Sequence, residues 1–104
     1  MIEALPASRA LAELQLRREA DRLGVPPHLA NALIQYALDR VRPGGFLSAC
    51  LANDLMGAVL AADPSSGGAL LDVVRFIRAV LHPDSWGSPA AISAWCAGEG
   101  GARG

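Results

Sequence analysis

Clusters of proline and glycine divide this sequence into short segments, and within each segment the apolar residues recur at helical spacing. The breaks lie at residues 24–27, 42–45, 63–68 and 82–89. Between them apolar side chains return every three or four positions, which is the period of a helix with one buried face. No segment shows the alternation typical of a half-buried strand. The pattern predicts an all-α fold.

Five helices follow from these breaks. We predict them at residues 8–23, 28–41, 46–62 and 69–81, with a short last helix that begins at the capping pair Ser88 and Pro89. Of the 104 residues, 52% are apolar and 18% are charged, which is enough apolar mass for one core. We therefore expect a single domain at 1–98, folded as a compact bundle of about five short helices, and a flexible Gly-rich tail at 99–104.

The apolar stripes predict which side of each helix is buried. On the first helix the stripe includes Leu11 and Leu14, whereas Leu16 falls outside it; either this helix is partly detached, or it offers a second face to a partner. The inward stripe of the third helix includes Leu55 and Val59. The second helix carries two apolar rows, which predicts a central position with contacts on two sides.

Asn53 and Asp54 interrupt the apolar pattern of the predicted third helix. Both are poor helix formers, because their side chains compete for backbone hydrogen bonds. Asp54 also falls on the inward stripe, and a buried carboxylate needs donors. One interpretation is structural: Asp54 accepts hydrogen bonds from a loop or a helix N-terminus, or it pairs with Arg40. The other gives Asn53 and Asp54 a role in binding a partner.

Two further features are candidates for partner binding. Trp86 lies in the loop before the last helix, where it either anchors that loop in the core or binds a partner. Arg17, Arg18 and Arg22 form a basic patch on the first helix. Acidic residues are interleaved with them, so a solvated charged face explains the patch equally well.

Few residues carry catalytic or ligand chemistry. The two histidines, His28 and His82, have no nearby nucleophile in sequence, and Cys50 and Cys96 fit no metal or redox spacing. We therefore expect no catalytic residue, no metal and no cofactor, and we expect both cysteines to be reduced thiols, with a single disulfide left open. A net charge of −1 argues against a nucleic-acid partner. The chain shows neither a membrane span nor a secretory signal, which favours a cytoplasmic protein.

A longer pattern joins the middle of the chain to its end. It reads GxFLxAxLxNDLxxA from Gly44 to Ala58, then WGS at residues 86–88, and then Trp95. In this combination the stretch from 33 to 95 resembles a family of small helical proteins of bacteriophages and prophages. The resemblance implies an origin in a phage or mobile element, and it carries over no catalytic residue.

Together these features favour a non-enzymatic accessory protein of a phage or mobile element. Such a protein binds and inhibits a host bacterial protein complex, for example a defence component such as a CRISPR effector. The alternative is a small nucleic-acid-associated regulator that uses the arginines of the first helix and acts as a dimer. The wide apolar surfaces of the second and fourth helices leave homodimerisation open in either case.

Overall fold

The computed structural model describes the backbone of residues 4–100 and the side chains of residues 8–64 and 66–100. In this part of the chain every regular element is helical. The α-helices are α1 (Ala4–Leu23), α2 (Pro27–Asp39), α3 (Gly45–Leu51), α4 (Leu55–Ala61), α5 (Pro64–Gly67), α6 (Leu70–Val80) and α7 (Pro89–Cys96). A 3-10 turn at Pro83–Ser85 precedes α7. The predicted all-α fold is confirmed, and no described helix is long and apolar enough to cross a bilayer.

Most of the two apolar rows of α2 is buried, as its sequence pattern predicts, but Val41 lies beyond the helix and is 51% exposed. Leu33 and Tyr36 are fully enclosed, and Ile34 is nearly so. The Tyr36 hydroxyl donates to the Ser85 carbonyl over 2.7 Å, and Trp95 Nε1 donates to the Tyr36 carbonyl over 2.9 Å. These two bonds satisfy the polar ends of aromatic side chains whose bodies pack in the core. They tie α2 to the 3-10 turn and to α7.

The buried face of α1 differs from the predicted one. Leu11 and Leu14 are exposed, whereas Leu16, Ala20 and Leu23 pack against the core. The buried residues are spaced by four and three positions, so they form a proper helical stripe. The prediction that Leu16 falls outside the stripe is therefore wrong. α1 packs on both α2 and α6, and the position of these two helices selects its inner face.

The predicted third helix is two helices, α3 and α4. The chain turns at Asn53, whose φ of 63° places it in the left-handed region, and Asn accepts this conformation better than most residues do. Asp54 then begins α4 as its N-cap and is exposed, so its predicted place on an inward stripe is wrong. Its carboxylate accepts the Gly57 N–H over 2.9 Å. The predicted hydrogen bond from a helix N-terminus is confirmed.

Arg40 does not pair with Asp54. It is the left-handed C-cap of α2, and its guanidinium lies 3.9 Å from the centre of the Trp95 ring. The same group donates to the carbonyls of Trp95, Glu99 and Gly100. Residues 99 and 100, which we placed in a flexible tail, are therefore held against α7, and 101–104 lie outside the described residues.

Candidate functional site

A groove lies between α4 and α6. Its volume is about 370 Å³, and it opens to solvent. The residues that line it are Cys50, Asn53, Asp54, Leu55, Ala58, Leu70, Val74, Ile77, Arg78 and Trp86. Three of the six partner-binding candidates, Asn53, Asp54 and Trp86, thus meet in one place although 32 residues separate Asp54 from Trp86 in the sequence. We call this feature the α4–α6 groove.

The turn at Asn53 creates the groove. Because the chain leaves α3 in a left-handed turn, α4 packs mainly against α3 and does not continue its axis. Gly57 allows the Asp54 cap to close tightly: a Cβ there would lie 2.2 Å from Asp54 Oδ2. The pair Asp54 and Gly57 therefore sets the first turn of α4, and with it one wall of the groove.

Trp86 lies at the other wall. The N–H of Gly87 donates to the Leu51 carbonyl over 2.6 Å, so the loop after the 3-10 turn is held beside the end of α3. Trp86 is partly buried and packs against the core, which agrees with the anchoring interpretation. Its indole N–H is enclosed but has no acceptor among the described residues.

Apolar side chains surround the groove. The sequence of α4 is LMGAVLA, which contains no polar side chain, yet Ala58 is its only buried residue. Large apolar residues of α4 and α6 are between 44% and 85% exposed: Leu55, Met56, Val59, Leu60, Leu71 and Val74. We call these six residues the apolar face. Leu55 and Val74 line the groove itself, and helical spacing places Val59 and Leu71 one turn away from them.

Charged groups at the groove are few. Arg78 makes no hydrogen bond or ion pair with any described residue. Asp54 carries the opposite charge, and the one hydrogen bond of its carboxylate in the described structure is the cap to Gly57. The groove thus offers one free guanidinium and one carboxylate within a mostly apolar wall.

Cys50 also lines the groove. Burial raises the pKa of its thiol to about 11, so the thiol is protonated at neutral pH and is a poor nucleophile. It forms no disulfide with Cys96. Neither histidine is among the groove-lining residues: His28 is exposed, and His82 accepts the Asp84 N–H at its Nδ1. Within the described structure no group of three or more His, Cys, Asp or Glu residues could hold a metal ion.

The other three candidates, Arg17, Arg18 and Arg22, lie on α1 outside the groove. Arg17 bonds Glu13 and Arg22 bonds Glu19. Their neighbour Arg9 bonds both Glu13 and Asp39 and so joins α1 to α2. Of these four arginines Arg18 alone has no acidic partner in the described part of the chain. The patch therefore presents little net positive charge, because its own carboxylates neutralise it.

Comparison with protein-family models, curated proteins and solved structures gives no match.

Sequence reasoning missed Arg78 and the exposed residues of α4. The sequence pattern does not single out Arg78, and it predicts burial for Leu55 and Val59, which are 65% and 57% exposed. The sequence of α4 did contain an indication, because it is apolar on all sides of the helix. A helix of this kind is expected to be buried by other elements on every side. What the sequence did not indicate is that the chain covers α4 on one side only.

Proposed function

We propose that this chain is a non-enzymatic protein-binding module whose docking surface is the apolar face around the α4–α6 groove. The observation that carries the proposal is α4 itself, a helix without a polar side chain that exposes four of its large apolar residues. Contiguous apolar patches larger than a few hundred Å² on a monomer mark interaction sites. Covering such a patch stabilises a complex by about 25 cal/mol for each Å² buried, before the costs of association.

Several features support a protein as the partner. The groove continues into an open apolar face, which suits a broad partner surface better than an enclosed small molecule. Trp86 and Arg78 are residue types that dominate binding energy at protein interfaces. A nucleic-acid partner would need a free basic surface, and the arginines of α1 are mostly occupied by carboxylates.

The proposal assigns no catalytic step to the chain. Its accessible nucleophile candidate, Cys50, is protonated at neutral pH and has no histidine beside it in the groove. A nucleophile without a base in reach is not activated.

We place the partner in a host bacterium. The support is the resemblance of residues 33–95 to proteins of bacteriophages and prophages. The proposed partner is a bacterial protein complex in the cytoplasm. The proposed action is inhibition, in which this chain occludes a surface of that complex. A defence complex such as a CRISPR effector is the specific form of this proposal.

An affinity pull-down of the tagged protein from bacterial lysate tests the proposal. The parent chain, Leu55→Glu and Leu11→Glu are compared, each with and without nuclease. Both substitutions put a carboxylate at an exposed leucine, but Leu11 lies on α1 outside the groove. We expect the parent and Leu11→Glu to retain a stoichiometric protein partner after nuclease treatment, and Leu55→Glu to lose it, because the new charge would be desolvated at the interface.

Two results would contradict the proposal. Partners that disappear on nuclease treatment would favour the nucleic-acid-associated regulator. A partner that Leu55→Glu retains as well as the parent would place the docking surface elsewhere.

A further inference from the structure

We propose that a second copy of this chain covers the apolar face when no other partner is bound, so that the free protein is a two-fold symmetric dimer. The inference uses the surface named in the proposed function, but the two can fail separately. Self-association is measured on the purified chain alone, whereas the proposed function needs a foreign partner.

The first support is the amount of surface that needs cover. The six residues of the apolar face are 44–85% exposed, and six large side chains exposed to this degree form a patch of the order of the ~800 Å² that each partner buries in a standard interface. A second copy of the same face is thus large enough to cover it. The apolar centre and the scarcity of charge at this face match the composition of homodimer interfaces.

The second support is shape. The same surface offers a depression, the α4–α6 groove, and beside it an exposed ridge formed by Met56 and Leu60 of α4. In a two-fold contact a patch meets its own copy, so the ridge of each chain can enter the groove of the other. An apolar ridge next to an apolar groove satisfies this requirement for self-complementarity.

The third support is charge. Asp54 and Arg78 both line the groove but form no ion pair with each other within the described chain. When α4 of one copy enters the groove of the other, Asp54 at the start of that α4 approaches the Arg78 that lines the receiving groove, so that opposite charges face each other across the interface. A net charge of −1 per chain also leaves little long-range repulsion between copies.

Analytical ultracentrifugation of the purified full chain, from micromolar to submillimolar concentration, tests the dimer. The variants are Leu55→Glu and Leu60→Glu on the apolar face, Arg78→Glu at the groove, and Leu11→Glu as the control with the same change at an exposed leucine of α1. Circular dichroism confirms that each variant is folded. We expect the parent and Leu11→Glu to be dimeric, and the two α4 variants to raise the dimer dissociation constant at least about tenfold.

Arg78→Glu should weaken the dimer as well, because the new carboxylate would face the Asp54 carboxylate of the other copy. The effect should be larger at low salt than at high salt, since salt screens this repulsion. A parent chain that stays monomeric at every concentration would overturn the inference and leave the docking of a foreign protein untouched. A dimer that persists in Leu55→Glu and Leu60→Glu would place self-association on another surface and overturn it too. An Arg78→Glu dimer as tight as the parent would overturn the proposed contact with Asp54.

Discussion

Asn53 and Asp54 show how two adjacent side chains redirect the chain. Asn53 takes the left-handed conformation that ends α3, and Asp54 caps the helix that follows. In the sequence the pair interrupts a helical pattern. In the structure Asn53 ends one helix and Asp54 begins the next. Its consequence extends beyond the backbone, because the turn exposes α4 and opens the groove.

The Asp54 cap leads to a stability prediction. Asp54→Ala should lower the free energy of unfolding by about 1 kcal/mol, because the Gly57 N–H loses its acceptor at the start of α4. Asp54→Asn is the matched control and should lose far less, since Asn caps helices about as well as Asp does. Urea denaturation followed by circular dichroism measures both. An alanine variant as stable as the parent would show that the cap is not formed in solution.

Cys50 leads to a prediction about reactivity. With its pKa raised to about 11, only about 1 in 10⁴ of its thiols is ionised at pH 7. Alkylation by iodoacetamide should therefore be slow at neutral pH and should accelerate about tenfold with each pH unit up to that pKa. Mass spectrometry of the modified peptide gives the rate, and the urea-unfolded chain is the reference. Equal rates for the folded and unfolded chain at pH 7 would contradict the raised pKa.

At the scale of elements, side chains at the C-terminal end of α2 hold its neighbours in place. Arg40, just past its C-terminus, binds three carbonyls at and beyond the end of α7. Asp39, the last residue of α2, binds Arg9 of α1. Helices this short gain little stability on their own, so such contacts contribute to the docking of one helix on another.

Arg40→Ala should destabilise the fold by about 1.5–3 kcal/mol, because hydrogen bonds from a charged donor are stronger than neutral ones and the stacking on Trp95 is lost as well. Arg42→Ala is the control: Arg42 is exposed and makes one 3.3 Å bond to Ser93 Oγ. Urea denaturation followed by Trp fluorescence compares the two. Equal losses in both variants would refute the anchoring role of Arg40.

The contact between α1 and α2 should make stability depend on pH. Hydrogen bonds from Arg9 and then Arg17 hold the pKa of Glu13 below its ordinary value of 4.5, and Arg9 holds the pKa of Asp39 below 3.8. Because both pKa values are lowered in the folded state, the stabilisation is present at neutral pH. It is lost as the pH falls below about 4, where the carboxyls take up protons.

Arg9→Gln should therefore be less stable than the parent at pH 7, and the difference in urea midpoint should shrink as the pH falls toward about 3. Arg18→Gln, at an arginine without an acidic partner in the described residues, should show no such pH-dependent difference. A difference between Arg9→Gln and the parent that stays constant with pH would contradict the ion pairs.

At the scale of the whole molecule, the apolar residues fall into two groups that stability measurements can separate. Leu51 is fully buried among the helices, whereas Leu60 is 85% exposed. Leu51→Ala should lose about 2–5 kcal/mol through lost burial and the cavity left behind. Leu60→Ala should change the stability of the isolated chain by less than about 0.5 kcal/mol.

Thermal unfolding at low micromolar concentration, where self-association contributes least, measures this contrast. A large loss for Leu60→Ala under these conditions would mean that α4 is covered by the chain itself. In that case the apolar face would not be a docking surface.

The sequence alone determined the elements that local chemistry controls. The Pro and Gly breaks predicted most of the helix boundaries, and the two apolar rows of α2 predicted its burial. Ser88 caps α7 as predicted, through the Ala91 N–H. These features depend on backbone propensity and on the period of one helix, both of which are read within a few residues.

The tertiary structure decided what covers each helix. Periodicity shows that a helix has an apolar side, but burial depends on which neighbour lies against it; α1 buries Leu16 and exposes Leu11 because α2 and α6 contact that side. Likewise Asn53 tolerates both a helical and a left-handed conformation, and in the folded chain, where α4 packs against α3, it takes the second. The meeting of Asp54, Arg78 and Trp86 at one groove arises from this packing, since contacts between residues so far apart in sequence leave no local signal.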